Sequence, residues 1–295
     1  MLRTVGALTG LGRLIASHPL TRDRQLAAWL RFAKWQIDSR LSETLEVPWL
    51  EGQKLVMRRG MTAASGNIYL GLLEFMSMML TVHLLRDEDL FLDIGANVGS
   101  YTVLASGVAG ARTWAFEPDP GTCRDLARNV AVNGLGAKVV LHQVALGPED
   151  GEVLFTSGDG AMNKVASDGD RHVQRVPQRR LDSLIGDESP IFIKLDVEGY
   201  EEQVLQGAAR TLANPLLRLV ALEGTSETTL RQLTENGFER GFYDPFTRVM
   251  QRQPNKLAYD NGQWTLSNEF FVRDWPFVER RLSEARPVDI LGQRI

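Results

Sequence analysis

Cysteine is almost missing: the 295-residue chain has one, Cys123. No intrachain disulfide can form, and no cysteine-based metal site can be assembled. Histidine is also scarce, with four in the chain. No His/Cys spacing matches a ligand set, so no metal is expected, although clustered carboxylates leave a hard cation open. Long apolar runs are lacking. The longest, Tyr69 to Leu85, carries Glu74, Ser77 and His83 and is too short and too polar to span a bilayer. The weakly apolar Leu8 to Ile15 is broken by Gly10, Gly12 and Arg13, with no clean cleavage site after it, which argues against a secretion signal. There is no excess of positive charge: 33 Lys and Arg against 37 Asp and Glu, a net charge of -4 and a pI near 5.7. That balance argues against a general nucleic-acid binder. Internal repeats and low-complexity tracts are absent as well. What these absences leave is a cytoplasmic globular protein without an integral membrane segment. With 43% hydrophobic residues it has enough apolar material for a large core. Arg3, Arg13, Arg22 and Arg24 sit among apolar residues, which leaves peripheral membrane contact open beside the plainer reading of a solvated helix packed on the body.

The stretch that organises the chain is Leu90-Phe91-Leu92-Asp93-Ile94-Gly95-Ala96-Asn97-Val98-Gly99-Ser100-Tyr101. An apolar run ends at an acid, two glycines bracket a turn, and a helical pattern follows. This is the strand, turn and helix that open a nucleotide-binding α/β sheet. Gly95 and Gly99 allow a sharp turn and a close ligand approach, and Asp93 at the strand end can accept hydrogen bonds. The spacing is D-x-G-x-x-x-G, not the G-x-G-x-x-G of dinucleotide binders.

Downstream, strands and helices alternate. Strands are expected at 90–94, 112–117, 138–145, 191–195, 217–223 and 269–273, and helices near 100–107, 121–133, 199–213 and 226–236. Such alternation implies a mainly parallel sheet covered on both faces, with ligands at the carboxyl ends of the strands. Those ends are therefore the informative positions. Glu117, about 20 residues past the glycine turn, suits the two hydroxyls of a ribose, because a carboxylate has two acceptor oxygens. Ala145 closes the third strand where an adenine ring would lie. Lys194, Asp196 and Glu198 leave a buried strand just before Gly199 and fall on one side if the extended conformation continues. They are either a catalytic group or a helix-capping cluster. Glu223 ends the next strand at the same edge. Asp182 is a helix cap or a site residue. Gly151 to Thr156 and Arg171 to Val176 look like the arms of a hairpin insert around the loop 158–163. Upstream, 22–42 and 69–85 read as helices, the first with an apolar face of Leu26, Leu30, Ala33, Ile37 and Leu41, and Lys54 to Arg58 as a short strand. Trp275 to Ala285 reads as a final helix whose apolar face packs on the domain or on a second subunit of a homo-oligomer.

With these residues in hand, the chain resembles the FkbM family of S-adenosylmethionine-dependent methyltransferases. Phe91 to Thr102 is similar to that family's cofactor motif, and Phe116-Glu117-Pro118, with Asn129 and Asn133 on the next helix, to its second motif. Ile193 to Glu201 with the trailing Val204-Leu205-Gln206-Gly207-Ala208 is the most distinctive match. Arg59-Gly60-Met61-Thr62 and the stretch from Leu73-Glu74-Phe75 to Arg86 resemble a lead-in. The resemblance implies the Rossmann-like, seven-stranded, mainly parallel sheet of class I methyltransferases at 89–274. An N-terminal helical cap at 1–88 and a helical tail at 275–295 would flank it. It implies S-adenosyl-L-methionine as cofactor, held at Asp93, Gly95, Asn97, Gly99 and Glu117, to which the turn adds Ala96 and the third strand end Ala145 as candidate contacts. It also implies O-methylation of a small-molecule, sugar, glycan or natural-product acceptor, with Asp196 and Glu198 at the active-site edge. The strand-end positions themselves make Asp196 the first candidate base, Glu198 and Glu223 the next, with Lys194 to fix the charge or orient the substrate. Two other readings remain: an NAD(P)-binding Rossmann oxidoreductase, against which the missing middle glycine speaks, and a cofactor-binding scaffold without catalysis.

Overall fold

A computed structural model describes residues 2–156, 163–167, 169–170, 172–254 and 268–295. The chain opens with α1 (Leu2–Ser17) and α2 (Gln25–Leu41). A hairpin, β1 (Leu45–Pro48) and β2 (Lys54–Met57), follows, and then α3 (Thr62–Leu70) and α4 (Phe75–Leu84). From there strands and helices alternate: β3 (Leu90–Ile94), α5 (Ser100–Val103) continuing into a π-helical turn over Leu104–Val108, β4 (Arg112–Phe116), α6 (Pro120–Val132) and β5 (Val139–His142). A separate small sheet is built from β6 (Ala145–Leu146), β7 (Gly151–Thr156) and β8 (Val173–Arg179). The chain then returns through α7 (Leu181–Leu184), β9 (Phe192–Leu195), α8 (Glu201–Gln206), α9 (Ala209–Ala213), β10 (Leu219–Leu222) and α10 (Glu227–Glu235). It closes with β11 (Glu239–Asp244), β12 (Val249–Gln251), β13 (Glu269–Val272), α11 (Trp275–Ser283) and the short pair β14 (Asp289–Ile290) and β15 (Gln293–Arg294).

The main sheet runs β12-β11-β13-β10-β9-β3-β4-β5. Its five strands from β10 to β5 are parallel, and β13, β11 and β12 are antiparallel. The order reverses between β3 and β9, which is where an open α/β sheet leaves its ligand crevice. Alternation with period two sends successive side chains to opposite faces. Leu92, Ile94, Ile193, Leu195, Val220 and Leu222 join one apolar cluster. Phe91, Phe192, Leu219 and Ala221 join the other, packed under α4, α5 and α11. Asp93, Lys194 and, by extension of the strand, Asp196 and Glu223 therefore share the face that carries α4 and α5.

The α/β reading and the hairpin insert are borne out, with four local differences. The sheet has eight strands, not seven, because β12 pairs with β11; a three-residue strand is too short to leave a periodic pattern. The strand expected at 138–145 stops at His142, and Ala145–Leu146 pairs instead with β8 in the small sheet. The helix expected at 199–213 breaks at Gly207, where a Cβ would lie 2.0 Å from the Gly147 carbonyl oxygen. The helix expected at 69–85 is two helices, α3 and α4, bent by 89°. Gly71 turns there at φ +89, and Asn67 Oδ1 accepts from Leu73 N at 2.7 Å, so the side chain replaces a helical bond.

Helix α2 shows a further difference. Leu26, Leu30, Ile37 and Leu41, expected to face the core, point to solvent, while Ala28, Trp35 and Ser39 are buried. Bulky Trp35 supplies the contact that the leucine stripe was expected to supply. At the other end α11 packs on the body through Trp275, Val278 and Leu282. The loop residues 158–162, Arg171 and Trp264, to which the sequence drew attention, lie outside the described residues.

Candidate active site

The carboxyl ends of the parallel strands open into a cavity of about 440 Å³. One end is apolar: Phe116 from β4, Val144, Ala145 and Leu146 around β6, and Phe155 from the insert line it. Glu117 follows directly. It is buried and accepts from the backbone N–H of Asn97 at 3.0 Å and of Asp119 at 2.9 Å. Burial raises it, against those two donors, to about 7. The Gly95–Gly99 turn forms the floor. Gly95 at φ +78 is compulsory, since a Cβ there would lie 1.7 Å from the Asp196 carbonyl oxygen. Asn97, at φ +52, is a residue type that tolerates the left-handed region, and its Oδ1 accepts from Val98 N at 2.7 Å.

The opposite end is acidic. Asp196, Glu198 and Glu223 bring one carboxylate oxygen each within 4.8 Å of one another, a spacing that could also hold a hard divalent cation. The parallel register sets Lys194 beside Ala221 and Leu195 beside Leu222, which carries Asp196 alongside Glu223. Glu198 reaches the group because it sits at φ +53, just before Gly199 at φ +93. Lys194 is buried and donates to Asp196 Oδ2 at 2.7 Å, with its Nζ 4.4 Å from the Tyr101 ring centroid. Burial opposes ionisation of Asp196, but Lys194 and the hydrogen bond with Glu223 outweigh it and hold the group below its ordinary value. Glu223 goes the other way. Burial, then the charges of Asp196 and Glu198, push it up to about 8.

The structure redistributes the expected site residues. Gly95, Asn97, Glu117, Ala145, Asp196, Glu198 and Glu223 line the main cavity. Ala96 and Lys194 line a side cavity of about 60 Å³ that shares Glu74, Gly95, Asn97 and Asp196 with it. Asp93 lines neither: it is wholly buried beneath the turn and accepts from Thr102 Oγ1 at 2.6 Å. Gly99 also lines neither; its missing Cβ would lie 2.3 Å from Leu126 Cδ1, so it serves the turn and the packing of α6. Asn129 and Asn133 are structural. Asn129 donates to the Val98 carbonyl at 2.8 Å and accepts from Val56 N at 2.6 Å, and Asn133 brackets Lys54, so α6 pins both the turn and β2. Asp182 caps α9, accepting from Arg210 N at 2.7 Å and Thr211 N at 3.0 Å. His142 stacks on Phe116 with centroids 4.8 Å apart. Tyr243 is buried against His83 and belongs to the core, whereas Phe246 packs one face on Phe75 and leaves the other exposed.

One site residue escaped the sequence reading. Glu74, at the break between α3 and α4, lines both cavities. Its Oε2 accepts from Tyr101 Oη at 2.7 Å and Asn268 Nδ2 at 3.0 Å, and among the described residues its Oε1 accepts nothing. Burial raises it above its ordinary value, with Lys194 opposing and Asp196 adding. The signal was present as an acid inside an apolar run, but a continuous helix would have placed it arbitrarily.

A curated relative, the hexuronic acid methyltransferase AglP of Haloferax volcanii, is 28% identical over 130 residues, 43% of this chain and 53% of its own length. The chain thus matches about half of that relative. Among solved structures, a precorrin-6y C5,15-methyltransferase from Geobacter metallireducens aligns with a TM-score of 0.35 and 16% identity, over 55% of this chain and 70% of its own. A tRNA (uracil-54, C5)-methyltransferase from Pyrococcus abyssi, solved with S-adenosyl-L-homocysteine, aligns with a TM-score of 0.41 and 12% identity, over 78% and 44%. The sequence profile of the methyltransferase FkbM domain matches residues 93–242, just over half of the 295 residues and the span from the glycine turn to the strand after α10. On that match the chain belongs to the FkbM methyltransferase family.

Proposed function

We propose that the protein is an S-adenosyl-L-methionine-dependent O-methyltransferase whose acceptor is a hydroxyl of a sugar, a glycan or a related natural product. The observation that carries this reading is one cavity with a buried acid, Glu117, at one end and the Asp196–Glu223 pair at the other. The residues fit the cofactor. The apolar slot around Ala145 suits adenine, Glu117 suits two ribose hydroxyls, and the acidic end complements a sulfonium and an ammonium. The cofactor, when bound, supplies an electrophilic methyl group. Everything else falls to the chain. Gly95 and Asn97 shape the turn, Glu74 receives the ammonium of the amino-acid end in the side cavity, and Lys194 keeps Asp196 ionised. A sugar hydroxyl is a weak nucleophile, so a positioned base contributes about 10²–10⁴-fold. Asp196 with Glu223 is that base, Glu198 lying at its edge. Restricting the acceptor to a hydroxyl-bearing sugar draws on the hexuronic acid relative, which carries the sugar class but not the linkage.

The test is calorimetric titration of the purified chain with S-adenosyl-L-homocysteine and with NAD⁺ and NADP⁺, followed by radiolabelled methyl transfer to a panel of neutral and acidic sugars. Binding of the homocysteine compound alone and a labelled, alkali-stable ether product are expected. Binding of a nicotinamide dinucleotide alone would establish the oxidoreductase reading instead. Cofactor binding without transfer to any sugar would favour the scaffold.

A further inference from the structure

The exposed face of α2 is unlike the rest of the surface. Leu26, Leu30, Ile37 and Leu41 are 75%, 63%, 60% and 79% exposed, and Ala33 lies between them on the same stripe. Scattered surface leucines need no explanation, but a stripe with helical spacing does. The opposite side of the helix already packs inward through Ala28 and Trp35, and among the described residues nothing covers this one. Charge identifies the occupant. Residues 1–41 hold seven Lys and Arg against two Asp and Glu, whereas the remaining chain holds 26 against 35. Residues 1–41, which form α1 and α2, are therefore net positive by five, and the rest of the chain is net negative by nine. Lys34 and Arg40 flank the stripe on either side, Lys34 bridged to Asp38 at 2.6 Å. A second copy is disfavoured by the same count: two caps packed stripe to stripe bring like charge against like charge, and an antiparallel pair centred on Ala33 sets the two Lys34 side chains together.

We propose that α2 seats this stripe in an anionic lipid surface, adsorbing the protein through its cap. Among the described residues no single helix is long and apolar enough to cross a membrane, and the α3–α4 pair that could do so by composition is bent by 89°, with α4 buried throughout. The contact is therefore interfacial: apolar side chains enter the headgroup boundary, and basic ones meet the lipid charge. The negative body is repelled by the same surface, which orients the cap toward it. That cap also bounds the cavity. Leu14 of α1 and Tyr69 of α3 line it, and Arg31 of α2 donates to the Tyr69 carbonyl at 2.8 and 3.2 Å. Adsorption thus brings the cavity near the lipid surface, within reach of an acceptor carried there.

The experiment is co-sedimentation of the full chain with vesicles of phosphatidylcholine alone and of phosphatidylcholine mixed with phosphatidylglycerol, at low and high salt. Light scattering of the free protein is recorded in parallel. The expected result is binding to the mixed vesicles about tenfold or more above the neutral ones, weakened by salt as surface charges are screened. Leu30→Glu with Ile37→Glu is expected to remove that binding at unchanged melting temperature, since both positions are exposed. Lys34→Glu with Arg40→Glu should remove its salt dependence. Failure to bind either vesicle overturns the proposal. So does a concentration-dependent dimer that Leu30→Glu with Ile37→Glu abolishes while vesicle binding is absent, which assigns the stripe to a second copy.

Discussion

At the scale of single residues the site works by setting neighbouring carboxylates apart. Lys194, beside the Tyr101 ring, holds Asp196 ionised, and burial together with that charge raises Glu223 to about 8. A base must be proton-free to act, so its competence is present above that value and lost as pH falls through it. We expect kcat/KM to climb with pH toward about 8 in the parent enzyme and Glu223→Gln to flatten that limb; a stopped assay across pH 6 to about 9 reads it. Asp196→Asn should lower kcat by about 10²–10⁴-fold with little change in S-adenosyl-L-homocysteine affinity. Glu74 allows a sharper separation. Glu74 lines the side cavity, and its Oε1 accepts nothing among the described residues, so Glu74→Gln should weaken S-adenosyl-L-homocysteine by about tenfold or more. It should leave 5′-methylthioadenosine, which has no ammonium, unchanged. Calorimetry with the two ligands distinguishes that role from general loosening, which would weaken both. Strand-end acids such as Glu117 were legible in sequence because they end apolar runs. Glu74 was not, because its place depends on a helix break enforced by contacts far along the chain.

At the scale of elements, glycines decide where backbones touch. Gly95 lets the first turn pass the loop after β9: its absent Cβ would overlap the Asp196 carbonyl oxygen at 1.7 Å, and its φ of +78 already disfavours a side chain. Gly95→Ala is expected to destabilise the fold by about 2–4 kcal/mol, measured as a fall in the urea midpoint, through a backbone clash rather than lost ligand contact. Gly99 looks identical in the motif yet has a different task, making room for Leu126. Motif spacing marks both as glycine but cannot say which neighbour comes close. The same limit explains the split helices. Gly71 and Gly207 end α3 and α8 because Ile290, Leu291 and the Gly147 carbonyl oxygen occupy the space a side chain would need.

At the scale of the whole molecule, a ligand that bridges the strand ends should act on global stability. At a hundred times its dissociation constant, S-adenosyl-L-homocysteine is expected to add about 2.7 kcal/mol to unfolding. The pH dependence follows from Glu117. Its folded value of about 7 lies above the unfolded carboxylate range, so in the free protein this group's contribution is most favourable at low pH and is lost as pH rises through about 7. On the proposed reading the ribose hydroxyls bind the carboxylate form, so the ligand-induced gain is expected to be largest above pH 7 and to shrink as pH falls through it. Thermal melts with and without ligand at several pH values measure the difference directly. The charge division between cap and body belongs to this scale too: it is countable in the sequence, but only the fold places it beside an uncovered apolar stripe.

The sequence by itself determined the alternation of strands and helices, the position of the crevice and the acids that end β4, β9 and β10. These follow from short-range rules: period-two burial, the turn-forming freedom of glycine and the end of an apolar run. Only the tertiary structure decided which face of α2 is buried, where the helices near Gly71 and Gly207 stop, that Asp93 bonds Thr102 of α5 instead of lining the cavity, and that Glu74 lines it. Each of those depends on volume exclusion and pairing between segments far apart in the chain, and no local pattern encodes which distant atom will claim a given space.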